Sequence, residues 1–148
     1  MTRAKKGPQR DTGLEMMLRP CLEAVAKQSG IDKSLVQDIV IGNVLNPGAA
    51  ATNARMAGFL AGYPETTCVQ GINRLCSSGL QAVATVANAI KSGEISVGIG
   101  GGFESMSNGN MMDAVNPNLQ ENFGWNQEVL ATLGRYKGKT IRSDSNNT

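Results

Sequence analysis

The chain has 148 residues, 14 of them basic and 12 acidic, for a formal charge of +2. That length is room for one domain with a real core, and the near-balance of charge argues against bulk nucleic-acid binding. Cys21, Cys68 and Cys76 are an odd number without metal-type spacing, which reads as free thiols in a reducing compartment rather than a disulfide framework or a metal centre.

In chain order, Arg3, Lys5, Lys6 and Arg10 open the sequence; they read as a solvated, frayed terminus, with anion binding as the alternative. There is no secretory apolar segment here. Thr12-Gly13-Leu14-Glu15 has the spacing of a capping box. Leu14, Met17, Leu18, Cys21, Leu22 and Val25 then recur at helical spacing. Pro20 removes a backbone donor in that run and crowds the Met16 carbonyl, which predicts a kink or a later start. Gly30 closes the helix.

"DIVIGNVL", residues 38–45, reads as a buried strand. "PGAAA" breaks the chain, and a short helix is predicted over 52–61, ended by Gly62 and Pro64. "TTCVQGIN", 66–73, predicts a second strand. Leu80, Val83, Ala84, Ala87 and Ile90 predict the apolar face of a helix ending at Gly93. "ISVGIG", 95–100, predicts a third strand, so that strand, helix and strand make a βαβ unit. The uncharged stretch from Leu75 to Ile90 is too short to span a bilayer and is interrupted by Gln81, Thr85 and Asn88. From about residue 108 the sequence becomes Asn-rich and aperiodic, and poor order is expected there. Met111 and Met112 in that region read as apolar filler.

"NRLCSSGLQA", 73–82, places Cys76 in the loop leaving the carboxyl end of the second predicted strand. That is where α/β sheets carry their chemistry. A thiolate is the reactive form of cysteine, and the mouth of a helix favours an anion through unpaired N–H groups and the macrodipole. The same N–H groups could hold an oxyanion. Ser77, Ser78 and Gly79 allow close backbone approach, with Gly79 able to take a positive φ. The local pattern fits a small buried cysteine equally well. Cys21, on an apolar helix face, and Cys68, inside a strand, read as core residues. Histidine is absent, so a mechanism that needs an imidazole base cannot be completed by these residues alone. "GIGGGF", 98–103, fails as a dinucleotide loop because Phe103 stands where a glycine is required. "GGFESMS" lacks the glycine spacing of a serine-hydrolase elbow. Glu104 could be a carboxylate base, but a solvated or capping role in its loop is the reading preferred.

Taken together, "GNVLNPGAAATNAR", "NRLCSSGLQA" and "GGFESMS" resemble, in order and spacing, three motifs of the thiolase family, over roughly residues 3–120. Their wording is nearest to the peroxisomal 3-ketoacyl-CoA thiolases of fatty-acid β-oxidation. The resemblance implies an α/β, thiolase-like fold, here part of the N-terminal αβα half, with a mixed sheet covered by helices. Residues 3–122 would be a partial N-terminal domain, and 123–148 a divergent, poorly ordered tail. It implies Cys76 as the catalytic nucleophile, acyl-CoA and CoA as substrates, no further cofactor, a homodimer in the complete protein, and a peroxisomal location with the cytoplasm as alternative. In thiolases the catalytic histidine and a second cysteine lie in a C-terminal half, so these residues alone are expected to be inactive. A non-catalytic module that only associates with a partner is the second reading, and a relative using another acyl carrier the third.

Overall fold

The computed structural model describes residues 3–108. The β-branched run becomes strand β1 (Asp38–Gly42), flanked in parallel by β2 (Cys68–Ile72) and β3 (Gly98–Gly102) in the order β2-β1-β3. Side chains alternate across a strand, so Ile39 and Ile41 point to one face of β1 and Val40 to the other. All three are fully buried. Ile39 and Ile41 pack with Leu18, Leu22 and Ala26 of helix α1 (Leu14–Ser29) and with Ala54 and Ala57 of α2 (Ala51–Leu60). Val40 packs with Ala82 and Val86 of α3 (Ser78–Ser92) on the opposite face. This is the αβα architecture expected, and a central strand covered twice explains its unbroken apolar run.

Several local expectations are corrected. No capping box forms: Gly13 is the N-cap of α1, and Glu15 instead accepts a hydrogen bond from Asn53 Nδ2 at 3.1 Å. The helix continues through Pro20, which is exposed. Its buried stripe is Leu14, Leu18, Leu22 and Ala26, while Cys21 and Val25 face solvent. Cys68 is exposed too, at the start of β2, an edge strand of the sheet among the described residues. Neither cysteine is a core residue.

The apolar face assigned to α3 is also corrected. Ser78, Ala82 and Val86 are its buried residues, whereas Leu80 (74% exposed), Val83 and Ile90 are exposed. The cause lies in β3, which runs Gly98–Gly102 rather than over residues 95–100. A Cβ at Gly100 would stand 2.7 Å from Val83 Cα. The helix therefore lies almost on the strand backbone at Gly100, and the Val86 side chain fills the space over Gly98. Gly98, Gly100 and Gly102 of "GIGGGF" serve this approach.

Two buried polar contacts tie the other side together. Tyr63 Oη donates to the Leu22 carbonyl at 2.9 Å, and Thr67 Oγ1 to the Val36 carbonyl at 2.8 Å. Among the described residues no helix is long and apolar enough to cross a membrane. The expectations for Met111, Met112 and the tail beyond residue 108 lie outside the described residues.

Ile39→Ala is expected to cost about 2–5 kcal/mol in urea unfolding, whereas Leu80→Ser should stay within about 0.5 kcal/mol; a loss at Leu80 as large as that at Ile39 would place the core on the wrong side of α3. Burial pushes the Tyr63 phenol above its ordinary value of 10.0. The folded state then keeps this proton to higher pH than the unfolded chain, so its contribution is complete below that value and lost as pH rises through the folded one. Wild type should exceed Tyr63→Phe in stability by about 1 kcal/mol near neutral pH, and the gap should close in alkaline titration.

Candidate active site

The carboxyl ends of β1, β2 and β3 lie side by side, and the site is built from the three loops that leave them. After β2 the chain turns at Asn73–Ser77 and enters α3. Leu75, at the apex, has φ 51°, a left-handed conformation unusual for a side chain with a Cβ. Asn73 Oδ1 accepts from Leu75 N at 3.0 Å, and Asn73 Nδ2 donates to the Val44 carbonyl at 3.1 Å. Ser78, only 3% exposed, accepts at Oγ from Arg74 N at 2.8 Å and donates to the Leu75 carbonyl at 2.6 Å. The Ser78 amide reaches that same carbonyl at 3.0 Å.

Cys76 stands in this turn, exposed, immediately before the N-cap Ser77 of α3. Ser77 makes no side-chain capping bond, so it leaves the helix mouth uncovered. The positive φ anticipated for Gly79 falls on Leu75 instead, and Gly79 is helical. Gly42 ends β1 directly beneath the turn, where an added Cβ would overlap the Ser78 carbonyl group and the Gly79 nitrogen. A Cβ at Gly102, at the end of β3, would stand 2.9 Å from the Gly42 carbonyl oxygen.

The loop after β1 is held by the loop after β3. Glu104 accepts from Val44 N at 2.9 Å, Leu45 N at 3.2 Å, Asn46 Nδ2 at 3.1 Å and Asn43 Nδ2 at 3.2 Å. Asn43, 1% exposed, also donates to the Phe103 carbonyl at 2.8 Å, and its Oδ1 accepts from Asn46 N at 3.1 Å. Glu104 thus caps a loop, the preferred of its two expected roles. Between these loops and the turn opens a cavity of about 510 Å³ lined by Val44, Leu45, Leu75, Phe103 and Met106 beside Cys76. The volume is in the range of small-ligand sites, and the lining suits an apolar group with a thiol at its edge. Of the three cysteines only Cys76 borders it. Cys21 lies in α1, and Cys68 begins β2 at the opposite end of the sheet. The sequence points to Ser78 only as a small residue allowing close backbone approach, and to Asn43 and Leu75 not at all; an Asn directly after an apolar strand is the one available signal.

The chain matches the family described as thiolase, N-terminal domain, over residues 1–139. It is 44% identical over 137 residues to the peroxisomal 3-ketoacyl-CoA thiolase 2 of Arabidopsis thaliana, covering 90% of this chain and 29% of that protein. The dimeric peroxisomal thiolase of Saccharomyces cerevisiae superposes with a TM-score of 0.70 at 36% identity, over 82% of this chain and 34% of that one. A second structure, of the peroxisomal 3-ketoacyl-CoA thiolase of the same yeast, is described as five-layered α-β-α-β-α, built from two core domains of identical topology. It matches with a TM-score of 0.67 at 36% identity, covering 74% of this chain and 33% of that one. The chain therefore spans about a third of the length of these relatives.

Glutamine at position 104 would present one acceptor oxygen where four donors converge. Glu104→Gln is expected to destabilise the chain by about 2 kcal/mol, the scale of lost hydrogen bonds to a charged acceptor. An unchanged urea midpoint would show that the carboxylate does not hold this loop.

Proposed function

Because the chain belongs to the thiolase family, we propose that Cys76 is the nucleophile of an acyl transfer that splits a 3-ketoacyl-CoA. The supporting observation is the exposed thiol at the mouth of α3, at the edge of an apolar cavity. The Cys76 sulfur would attack the 3-keto carbon. The bond between C2 and C3 then breaks, with its electron pair leaving on the acetyl-CoA enolate, which takes up a proton. The acyl thioester on Cys76 is passed to the thiol of free CoA. Dividing a carbon–carbon cleavage into two acyl transfers is covalent catalysis. The cavity beside Cys76 would receive the apolar part of the acyl group.

Proton handling requires groups beyond these residues, since the chain has no histidine. By analogy with the five-layered yeast enzyme, α3 would belong to a central helical layer, with its outward Leu80, Val83 and Ile90 covered by a second core domain. In the same reading the complete enzyme is a dimer in the peroxisome, as the names of its relatives describe for them, and its reaction is a step of fatty-acid β-oxidation. The outward apolar face of α3 also suits the second reading, a thiolase-like module that associates with a partner without turnover.

The test is incubation with acetoacetyl-CoA, with and without a separately expressed C-terminal thiolase half. Acetylated Cys76 and thiolysis are expected in the mixture, and both should vanish in Cys76→Ser. The chain alone should fall short by about 10²–10⁴-fold, the usual share of general acid–base help. Acetylation at Cys21 or Cys68, or thiolysis surviving in Cys76→Ser, would overturn the assignment.

A further inference from the structure

We infer that Ser78 is a positioning residue for Cys76, its hydroxyl clasping the Arg74–Ser78 turn so that the thiol is held at the mouth of α3. The inference rests on the reading of Cys76 as nucleophile.

A serine at a helix N-terminus ordinarily spends its hydroxyl on the helix's own amides. Here the hydroxyl of the first helical residue turns backward. It accepts from Arg74 N at 2.8 Å and donates to the Leu75 carbonyl at 2.6 Å, so it bonds the chain on both sides of the Leu75 apex. The Leu75 carbonyl is held twice, by this hydroxyl and by the Ser78 amide at 3.0 Å. That fixes the plane of the peptide joining Leu75 to Cys76, and with it where the Cys76 Cα stands in the turn.

The clasp works against a conformational preference. Leu75 is left-handed at φ 51°, which a leucine does not choose, and its side chain is 70% exposed, so packing does not hold it there. Hydrogen bonds must, and they come from Asn73 on one side and Ser78 on the other. Ser78 is itself anchored to the sheet, because the missing side chain of Gly42 lets the Ser78 backbone rest on the end of β1. Removing the hydroxyl would free Leu75 to return to negative φ, rotate the following peptide, and carry the sulfur away from the helix mouth.

The experiment alkylates the three cysteines of the intact chain at neutral pH, using neutral iodoacetamide and anionic iodoacetate, with rates read for each cysteine by peptide mapping. A thiol held at a helix N-terminus favours the anionic reagent, so the iodoacetate-to-iodoacetamide ratio reports position rather than mere exposure. Ser78→Ala should lower that ratio at Cys76 by about threefold or more, leave Cys21 and Cys68 unchanged, and be reversed by Ser78→Thr, which restores a hydroxyl. An unchanged ratio in Ser78→Ala, or the same loss in Ser78→Thr, overturns the inference. If Ser78→Ala unfolds, with all three cysteines labelling alike, the decision passes to amide exchange in the wild-type chain. Protection of the Arg74 amide then supports the clasp, and exchange at the rate of an open loop overturns it. A wild-type Cys76 no more reactive than Cys21 would count against the nucleophile reading, while the comparison of Ser78 variants still decides the positioning role.

Discussion

The structure depends on how closely α3 approaches the sheet. Gly98, Gly100 and Gly102 strip β3 of side chains where the helix crosses it, and Gly42 does the same at the end of β1. Overpacking such a contact is as damaging as emptying it, so the spacing is set by backbone against backbone. Two consequences follow from this one constraint. Ser78, Ala82 and Val86 are the residues of α3 that are buried, and the start of α3 is pinned over the strand ends, which fixes where Cys76 can stand.

Around that pinned helix start the site divides its labour. One set of groups shapes the turn: Asn73, Leu75 and Ser78 hold a left-handed apex and leave the thiol exposed. Another shapes the wall: Glu104 gathers the backbone amides of Val44 and Leu45 and the amide side chains of Asn43 and Asn46. Asn73 Nδ2 joins the two sets through the Val44 carbonyl. A carboxylate that accepts this many bonds serves as an anchor.

Much of this was legible in the residues. The β-branched run of β1 read as a strand, and the turn at Cys76 fell in the loop after β2, because both signals are local. The orientation of α3 was not legible. No charge separates Arg74 from Lys91, so each side of the helix carries apolar residues, and the choice between them is made by glycines in a different strand. The same holds for Cys21, where Met17 and Val25 suggested an apolar stripe but the stripe that packs runs through Leu18 and Leu22. Leu75 gave no hint of its left-handed backbone, since leucine is not a turn signal. Glycines were the informative letters throughout, and their meaning appears only when the partner backbone is known.

The span of the Glu104 contacts has a bearing on how the site comes into being. Glu104 meets Val44 across 60 residues of chain, and β3 completes the sheet on the side of β1 away from β2. As a ribosome releases the chain from its N-terminus, the turn bearing Cys76 emerges before the strand and carboxylate that close its cavity. Contacts this distant in sequence form late and slowly. Through that interval the thiol stands without its wall, and it precedes its enclosure by the time needed to make and dock β3.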